Sequence, residues 1–189
     1  MMIRQIWKNY SGFATASLLL AATLLALPLA AKPFTLEAVR SQVRQNFAGV
    51  SHLSTKELSR AMAVEDNLLV LDVREENEFA VSRIDGAQRV DPGIWRWQFM
   101  NRFGNKVRGK TVVFYCSVGV RSSKLAANVQ GVLKELGAKG VYNLDGGVFA
   151  WHNEARALVN GKGTTDYVHP FDGAWGKLVK RQELTKVTP

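Results

Sequence analysis

Thr111-Val112-Val113-Phe114-Tyr115-Cys116-Ser117-Val118-Gly119-Val120-Arg121-Ser122 is the stretch that decides how this chain folds. Its first five residues form an apolar run that reads as a buried strand. A short loop follows. Ser122 to Leu136 then reads as a helix, with Leu125, Val129, Val132, Leu133 and Leu136 along one face. Gly137 ends that helix. Cys116 is the one cysteine of the chain, and it stands where strand gives way to loop. A thiol so placed sits among loop N–H groups, faces a helix N-terminus and has the Arg121 cation close by. All three favour the thiolate, which is the nucleophilic form of sulfur. Cys116 is therefore a candidate for covalent chemistry. A lone cysteine often only fills space in a core, and the loop around this one argues against that reading.

Working outward, strands and helices alternate. Phe34 to Phe47 reads as a helix with Leu36, Val39, Val43 and Phe47 on one stripe, ended by Gly49. Ser54 to Ala63 is a second helix, opened by a capping box of Ser54 and Glu57. Leu68 to Val73 is a strand, Glu75 to Val81 a helical turn and Ala87 to Val90 a brief strand. In Ile94 to Phe103, Trp95, Trp97, Phe99 and Phe103 interleave with Arg96 and Arg102. Such a pattern suits a helix packed on a sheet under arginine stems, although it also suits base stacking or the mouth of a site. Val141 to Leu144 is a further strand, and Gly146-Gly147 turns into a helix over Val148 to Glu154. The fold class expected is α/β, with a mainly parallel central sheet covered by helices on both faces. Ligands of such sheets bind at the carboxyl ends of strands, and Cys116 lies at one.

Several segments carry a resemblance. Leu69-Val70-Leu71-Asp72-Val73-Arg74-Glu75 is followed by Glu78-Phe79, by Ile84-Asp85-Gly86-Ala87, by the Cys116–Arg121 loop and by Asn143-Leu144-Asp145-Gly146-Gly147 with Trp151. In this order and spacing they resemble the rhodanese family of sulfurtransferases over about Ser51 to Glu154. One departure is Arg83, where family members often carry histidine. The resemblance implies a rhodanese-like fold and a loop whose N–H groups converge on the Cys116 sulfur. It implies sulfane-sulfur transfer through a Cys116 persulfide, from a donor such as thiosulfate to a thiol or cyanide acceptor. Cys116 is then the catalytic residue, and Ser117, Val118, Gly119, Val120 and Arg121 bind the substrate. Gly119 lets the loop turn tightly, with positive φ expected. Arg121 is expected to share two roles, holding the anionic donor and pinning the loop to a carboxylate. Asp72 and Arg74 are expected to order the neighbouring strand end. No metal or cofactor is expected.

Two other classes compete with this reading. Phosphatases and arsenate reductases also use a Cys-to-Arg loop, but theirs resemble Cys-x5-Arg, one residue longer than this Cys-x4-Arg. The second is a noncatalytic binding or sulfur-carrier module, in which Cys116 serves one partner.

The chain divides, on this reading, into residues 1–31, a helical extension at 32–50, the main domain at 51–157 and a C-terminal extension at 158–189. Arg4 and Lys8 precede an uncharged stretch from Asn9 to Ala31 with a leucine- and alanine-rich centre, Pro28 and the small pair Ala30-Ala31. That is the composition of a cleaved export signal, with a retained anchor and a buried helix as alternatives. Either leading reading puts the domain outside the cytoplasm, in a periplasmic or otherwise exported setting. A lone thiol there has no internal disulfide partner and no resolving cysteine, so a persulfide must be discharged to an external acceptor.

The 189 residues carry a net charge of +9, and the chain beyond residue 31 carries +7. The basic residues are scattered, so small anionic donors are the expected partners and nucleic acid is not. In the C-terminal extension Asn160 to Gly163 reads as a loop. Tyr167 to Trp175 is compact and aromatic and is expected to pack back, with His169 as its polar candidate. Gln182 to Pro189 reads as a frayed end.

Overall fold

The structure, a computed structural model, describes residues 34–64 and 66–189. The expected signal segment at 1–31 lies outside the described residues. Five strands form one parallel sheet: β1 (Ser51–Leu53), β2 (Leu68–Asp72), β3 (Gln88–Arg89), β4 (Thr111–Tyr115) and β5 (Gly140–Leu144). Their order across the sheet is β1-β5-β4-β2-β3, so β4 lies at the centre, hydrogen-bonded to β2 on one side and β5 on the other. Leu71 pairs with Phe114, and Phe114 with Asn143.

Strand alternation divides the core into two. Val112, Phe114 and Cys116 point to one face, where they meet Leu69, Leu71, Phe99, Phe103, Val129 and Leu133. Val113 and Tyr115 point to the other, against Leu58, Val70, Ile84, Leu144, Val148 and Phe149. The first face is covered by α4 (Arg96–Phe103) and α5 (Val120–Glu135), the second by α2 (Thr55–Val64) and α6 (Gly147–Asn153). The expected α/β architecture with helices on both faces is what the chain adopts. Two further helices complete the set, α1 (Leu36–Asn46) and the short α3 (Glu76–Val81). The capping box at α2 forms as expected, with Ser54 N–H donating to Glu57 Oε2 at 2.8 Å and Glu57 N–H to Ser54 Oγ at 3.2 Å.

Four expectations need correction. The helix expected from Ser122 begins two residues earlier, at Val120, because Gly119 already turns the chain. Trp95 and Trp97 do not pack on the sheet: they are 71% and 63% exposed, while Phe99 and Phe103 are fully buried. Residues 99 and 103 share a helix face, and 97 falls on the opposite one. The loop at Asn160–Gly163 is the turn of a small antiparallel hairpin, β6 (Leu158–Asn160) with β7 (Gly163–Thr165). The C-terminal end is not frayed over its first half, since Val168 N–H donates to Leu184 O at 2.9 Å and Lys186 N–H to Val168 O at 3.0 Å. Val168, Leu178 and Val179 join the second core face, so the segment after residue 157 is packed chain. Among the described residues no helix is long and apolar enough to cross a membrane.

Candidate active site

β4 delivers Cys116 to the carboxyl edge of the sheet, and two backbone hydrogen bonds and one side-chain bond hold the loop that follows. Val148 N–H donates to Cys116 O at 2.9 Å and Phe149 N–H donates to Ser117 O at 3.0 Å, so the first turn of α6 grips the loop's carbonyls. Gly147 makes that approach possible: a Cβ there would stand 2.3 Å from Cys116 O. From the other side, Ser122 Oγ donates to Asn143 Oδ1 at 2.6 Å, which ties the start of α5 to the end of β5. Asn143 is itself fixed by its Nδ2 on Leu144 O and on the ring Nδ1 of His52.

Gly119 has φ of 101°, the positive value expected of it, and this turns its N–H onto Cys116 Sγ at 3.2 Å. The first α-helical bond of α5 runs from Ser123 N–H to Gly119 O. The N–H groups of Val120, Arg121 and Ser122 precede it and give the helix its positive end beside the sulfur. Cys116 is only 1% exposed, yet it lines a cavity of about 230 Å³ together with Ser117, Val118, Val120, Arg121, Phe171 and Trp175. The five loop positions named from the sequence are thus brought to one place, four of them lining the cavity and Gly119 bonding the sulfur.

Arg121 is engaged on both sides. Its Nη1 donates to Glu78 Oε2 at 2.7 Å and its Nη2 to Glu78 Oε1 at 2.9 Å, a bidentate pair. Nη2 also reaches Ser117 Oγ at 2.9 Å, and Ser117 Oγ donates to Glu78 Oε1 at 2.8 Å. Over the guanidinium lies the Phe171 ring, 4.8 Å away. Burial pulls the Arg121 pKa down, but the Glu78 hydrogen bonds and the neighbouring Cys116 sulfur outweigh it and raise it. Burial pushes the Glu78 carboxyl up, but Arg121 outweighs that and holds it below the usual carboxylate range. Of the two roles expected for Arg121, pinning the loop to a carboxylate is the one its geometry displays.

Asp72 and Arg74 sit beneath this edge and are fully buried. Arg74 Nε and Nη2 donate to the two Asp72 oxygens at 2.8 and 2.6 Å, and Nη2 also reaches Ser82 O at 2.6 Å. They order the end of β2. His169 is nearly buried, accepts from Phe171 N–H at 3.0 Å and lies 3.4 Å from Asn77 Nδ2. Burial lowers its pKa.

Sequence reasoning gave no role to Glu78, Phe171 or Trp175. Glu78 carried a faint signal, three residues after Glu75, whose N–H it caps at 3.0 Å. Phe171 and Trp175 carried only the aromatic density of their segment.

Comparison with known proteins agrees with this construction. A sequence model described as the rhodanese-like domain matches residues 54–154. A tRNA uridine(34) hydroxylase from Shouchella clausii is 33% identical over 121 residues, which is 62% of this chain and 35% of that protein. The enzyme of the same name from Brucella suis is 31% identical over 100 residues, 50% of this chain and 30% of that one. The chain spans about a third of the length of these curated relatives. Among solved structures, the thiosulfate sulfurtransferase from Pseudomonas aeruginosa superposes with a TM-score of 0.52 at 18% identity, over 67% of this chain and 23% of that one, a likeness of fold. The parallel sheet, the cysteine at the end of its central strand and the match over residues 54–154 lead to one assignment: this chain belongs to the rhodanese-like domain family.

Proposed function

We propose that this protein is a sulfurtransferase that carries sulfane sulfur as a persulfide on Cys116. The observation that carries the reading is the Gly119 N–H on Cys116 Sγ, 3.2 Å away, at the positive end of a sixteen-residue helix. A thiolate in that position attacks the outer sulfur of a donor, and the anion behind it leaves. The terminal sulfur of the persulfide then lies against the amides of Ser117 to Arg121, and an acceptor thiolate or cyanide removes it in a second step. Cys116 is the nucleophile; Ser117, Val118, Gly119, Val120 and Arg121 form the cradle. The setting proposed for this work is outside the cytoplasm, by way of the segment at 1–31. The test is intact mass after incubation with a sulfane-sulfur donor. A gain of about 32 Da, absent from Cys116→Ser, is expected. An unchanged mass with every donor would sink the reading. A persulfide that forms but turns over too slowly for catalysis would favour the carrier alternative.

A second reading draws on the names of the curated relatives, which act on uridine 34 of tRNA. A groove lined by Arg83, Arg89, Lys162 and Lys186, with Phe79 and Tyr167 beside them, supplies cations and aromatic faces that suit a nucleic-acid strand. Mobility shift with tRNA across a salt series separates the two. Salt-dependent retardation, weakened by Arg83→Ala with Lys186→Ala, would favour this second reading over small-molecule substrates alone.

A further inference from the structure

The family match ends at residue 154, whereas two walls of the Cys116 cavity come from beyond it, Phe171 and Trp175. Phe171 is 42% exposed, yet its backbone is fixed in place. Its φ is 68°, in the left-handed region that a bulky residue seldom occupies. The surrounding chain holds it there: Phe171 N–H donates to the nearly buried His169, and Asp172 Oδ1 accepts from both Ala174 N–H and Trp175 N–H at 2.8 Å. Gly176 lets the next turn close, since a Cβ there would come within 2.8 Å of Pro170 Cβ. Trp175 is backed by Phe34, edge to face, with ring centroids 5.4 Å apart. A strained, well-supported conformation that aims an aromatic ring into a site is a sign of function.

Those rings change what the site offers a donor. Arg121 is the one cation among the residues that line the cavity, but Glu78 neutralises it and Phe171 covers its face. A small dianion entering here gives up its hydration for an apolar wall and a compensated charge, and that cost grows with the square of its charge. An apolar group gains by the same wall. At about 230 Å³ the cavity falls below the range of roughly 300–1,000 Å³ for drug-sized ligands, so it suits one ring or a short branched chain beside the reacting sulfur.

We infer, resting on the sulfur-transfer reading, that Phe171 and Trp175 determine specificity by selecting a singly charged organic sulfane-sulfur donor, a thiosulfonate or persulfide with an apolar substituent, over inorganic thiosulfate. With a thiosulfonate, the Cys116 thiolate attacks the terminal sulfur of R–SO2–S⁻. The Sγ–S bond forms, the donor's S–S bond breaks, and its electron pair departs with the sulfinate R–SO2⁻. One negative charge remains on the persulfide and one on the sulfinate, so no oxidant or reductant is required.

The experiment uses the full chain with cyanide as a fixed acceptor. It compares inorganic thiosulfate, methanethiosulfonate and benzenethiosulfonate, each rate divided by its uncatalysed cyanolysis. Normalised kcat/KM is expected to rise in that order, with benzenethiosulfonate ahead of thiosulfate by about tenfold or more. Trp175→Ala and Phe171→Ala are each expected to narrow that ratio by about threefold or more, chiefly through the KM of the aryl donor, and Trp175→Phe to restore most of it. A flat or reversed order in the native protein would overturn the inference without any variant. So would variants that slow all three donors equally. Should thiosulfate load Cys116 as readily as the aryl donor, by intact mass, the inference fails and the sulfur-transfer reading survives. Should no donor add sulfur to Cys116, both fail.

Discussion

Glu78 Oε1 and Oε2 each take a hydrogen bond from Arg121, at 2.9 and 2.7 Å, and Ser117 Oγ bridges the same two groups at 2.8 and 2.9 Å. The three side chains come from α3, the loop and the first turn of α5. A carboxylate thus joins the residue after the nucleophile to the head of the helix that faces it.

Replacing Glu78 by Gln leaves Arg121 with no anionic partner in a half-buried site. The expected cost is about 2–3 kcal/mol, read as a fall in Tm and in denaturation midpoint. The variant should also lose pH dependence. The folded pKa of Glu78 is depressed, so its stabilisation is complete above the ordinary value of 4.5 and is lost as pH falls through the folded value. Native stability should therefore drop more steeply than that of Glu78→Gln below about pH 4.5. Parallel acid curves would show that the ion pair contributes nothing to the fold.

Arg121→Lys separates charge from shape. Lysine keeps the cation but cannot donate to both Glu78 oxygens and to Ser117 in one plane. Sulfur transfer is expected to fall by about tenfold or more in Arg121→Lys, nearly as far as in Arg121→Ala. A lysine variant with native turnover would mean that positive charge alone is what the loop needs.

Gly147→Ala tests the grip of α6 on the loop. The new Cβ would meet the backbone carbonyls of two loop residues, with Cys116 O at 2.3 Å and Ser117 O at 2.7 Å, at a residue whose φ is 60°. No flexible side chain stands there to give way. The conformation alone costs about 1–3 kcal/mol, and the clash must shift the loop as well. The expected result is a lowered Tm together with slower alkylation of Cys116. Gly49→Ala, where nothing lies within 4 Å of the added carbon, is the matched control.

How far the chain could be read beforehand follows from which contacts are local. The continuous apolar run from Thr111 to Tyr115 needs no partner to be seen, and it gave the strand and, at its end, the position of the nucleophile. Gly119 was legible because only a few backbone angles allow so short a turn from strand to helix. β1 was not foreseen, since Ser51-His52-Leu53 has no period and exists as a strand only through its pairing with Tyr142 to Leu144. Glu78 lies 39 residues from the serine it binds, and Phe171 and Trp175 lie further still from Cys116 along the chain. Nothing in their neighbourhoods announces such partners. The polar tail from Gln182 lacks any apolar period, so its order comes from backbone pairing with Val168 that no pattern of side chains could reveal.

Asp145 links the N-terminal helix to the loop by a short path. Its Oδ2 accepts from Arg40 Nη2 at 2.6 Å and from Arg44 Nη2, both on α1. Two residues on, Gly147 begins the turn of α6 that holds Cys116 O. Burial pushes the Asp145 carboxyl up, but the two arginines outweigh it and lower its pKa. Its contribution is therefore full above the ordinary value of 3.8 and is lost as pH falls through the lower folded value. Asp145→Asn should release α1 while sparing the sheet, at a cost of only about 1 kcal/mol, because both arginines are partly exposed. Hydrogen exchange reads this directly: protection is expected to fall across Leu36–Asn46 and to persist across Thr111–Tyr115. The competing anchor is apolar, since Leu36 and Val39 pack against the second core face. If that contact dominates, α1 stays protected in Asp145→Asn and loses protection in Val39→Ala, and the ion pair is then only an orienting contact.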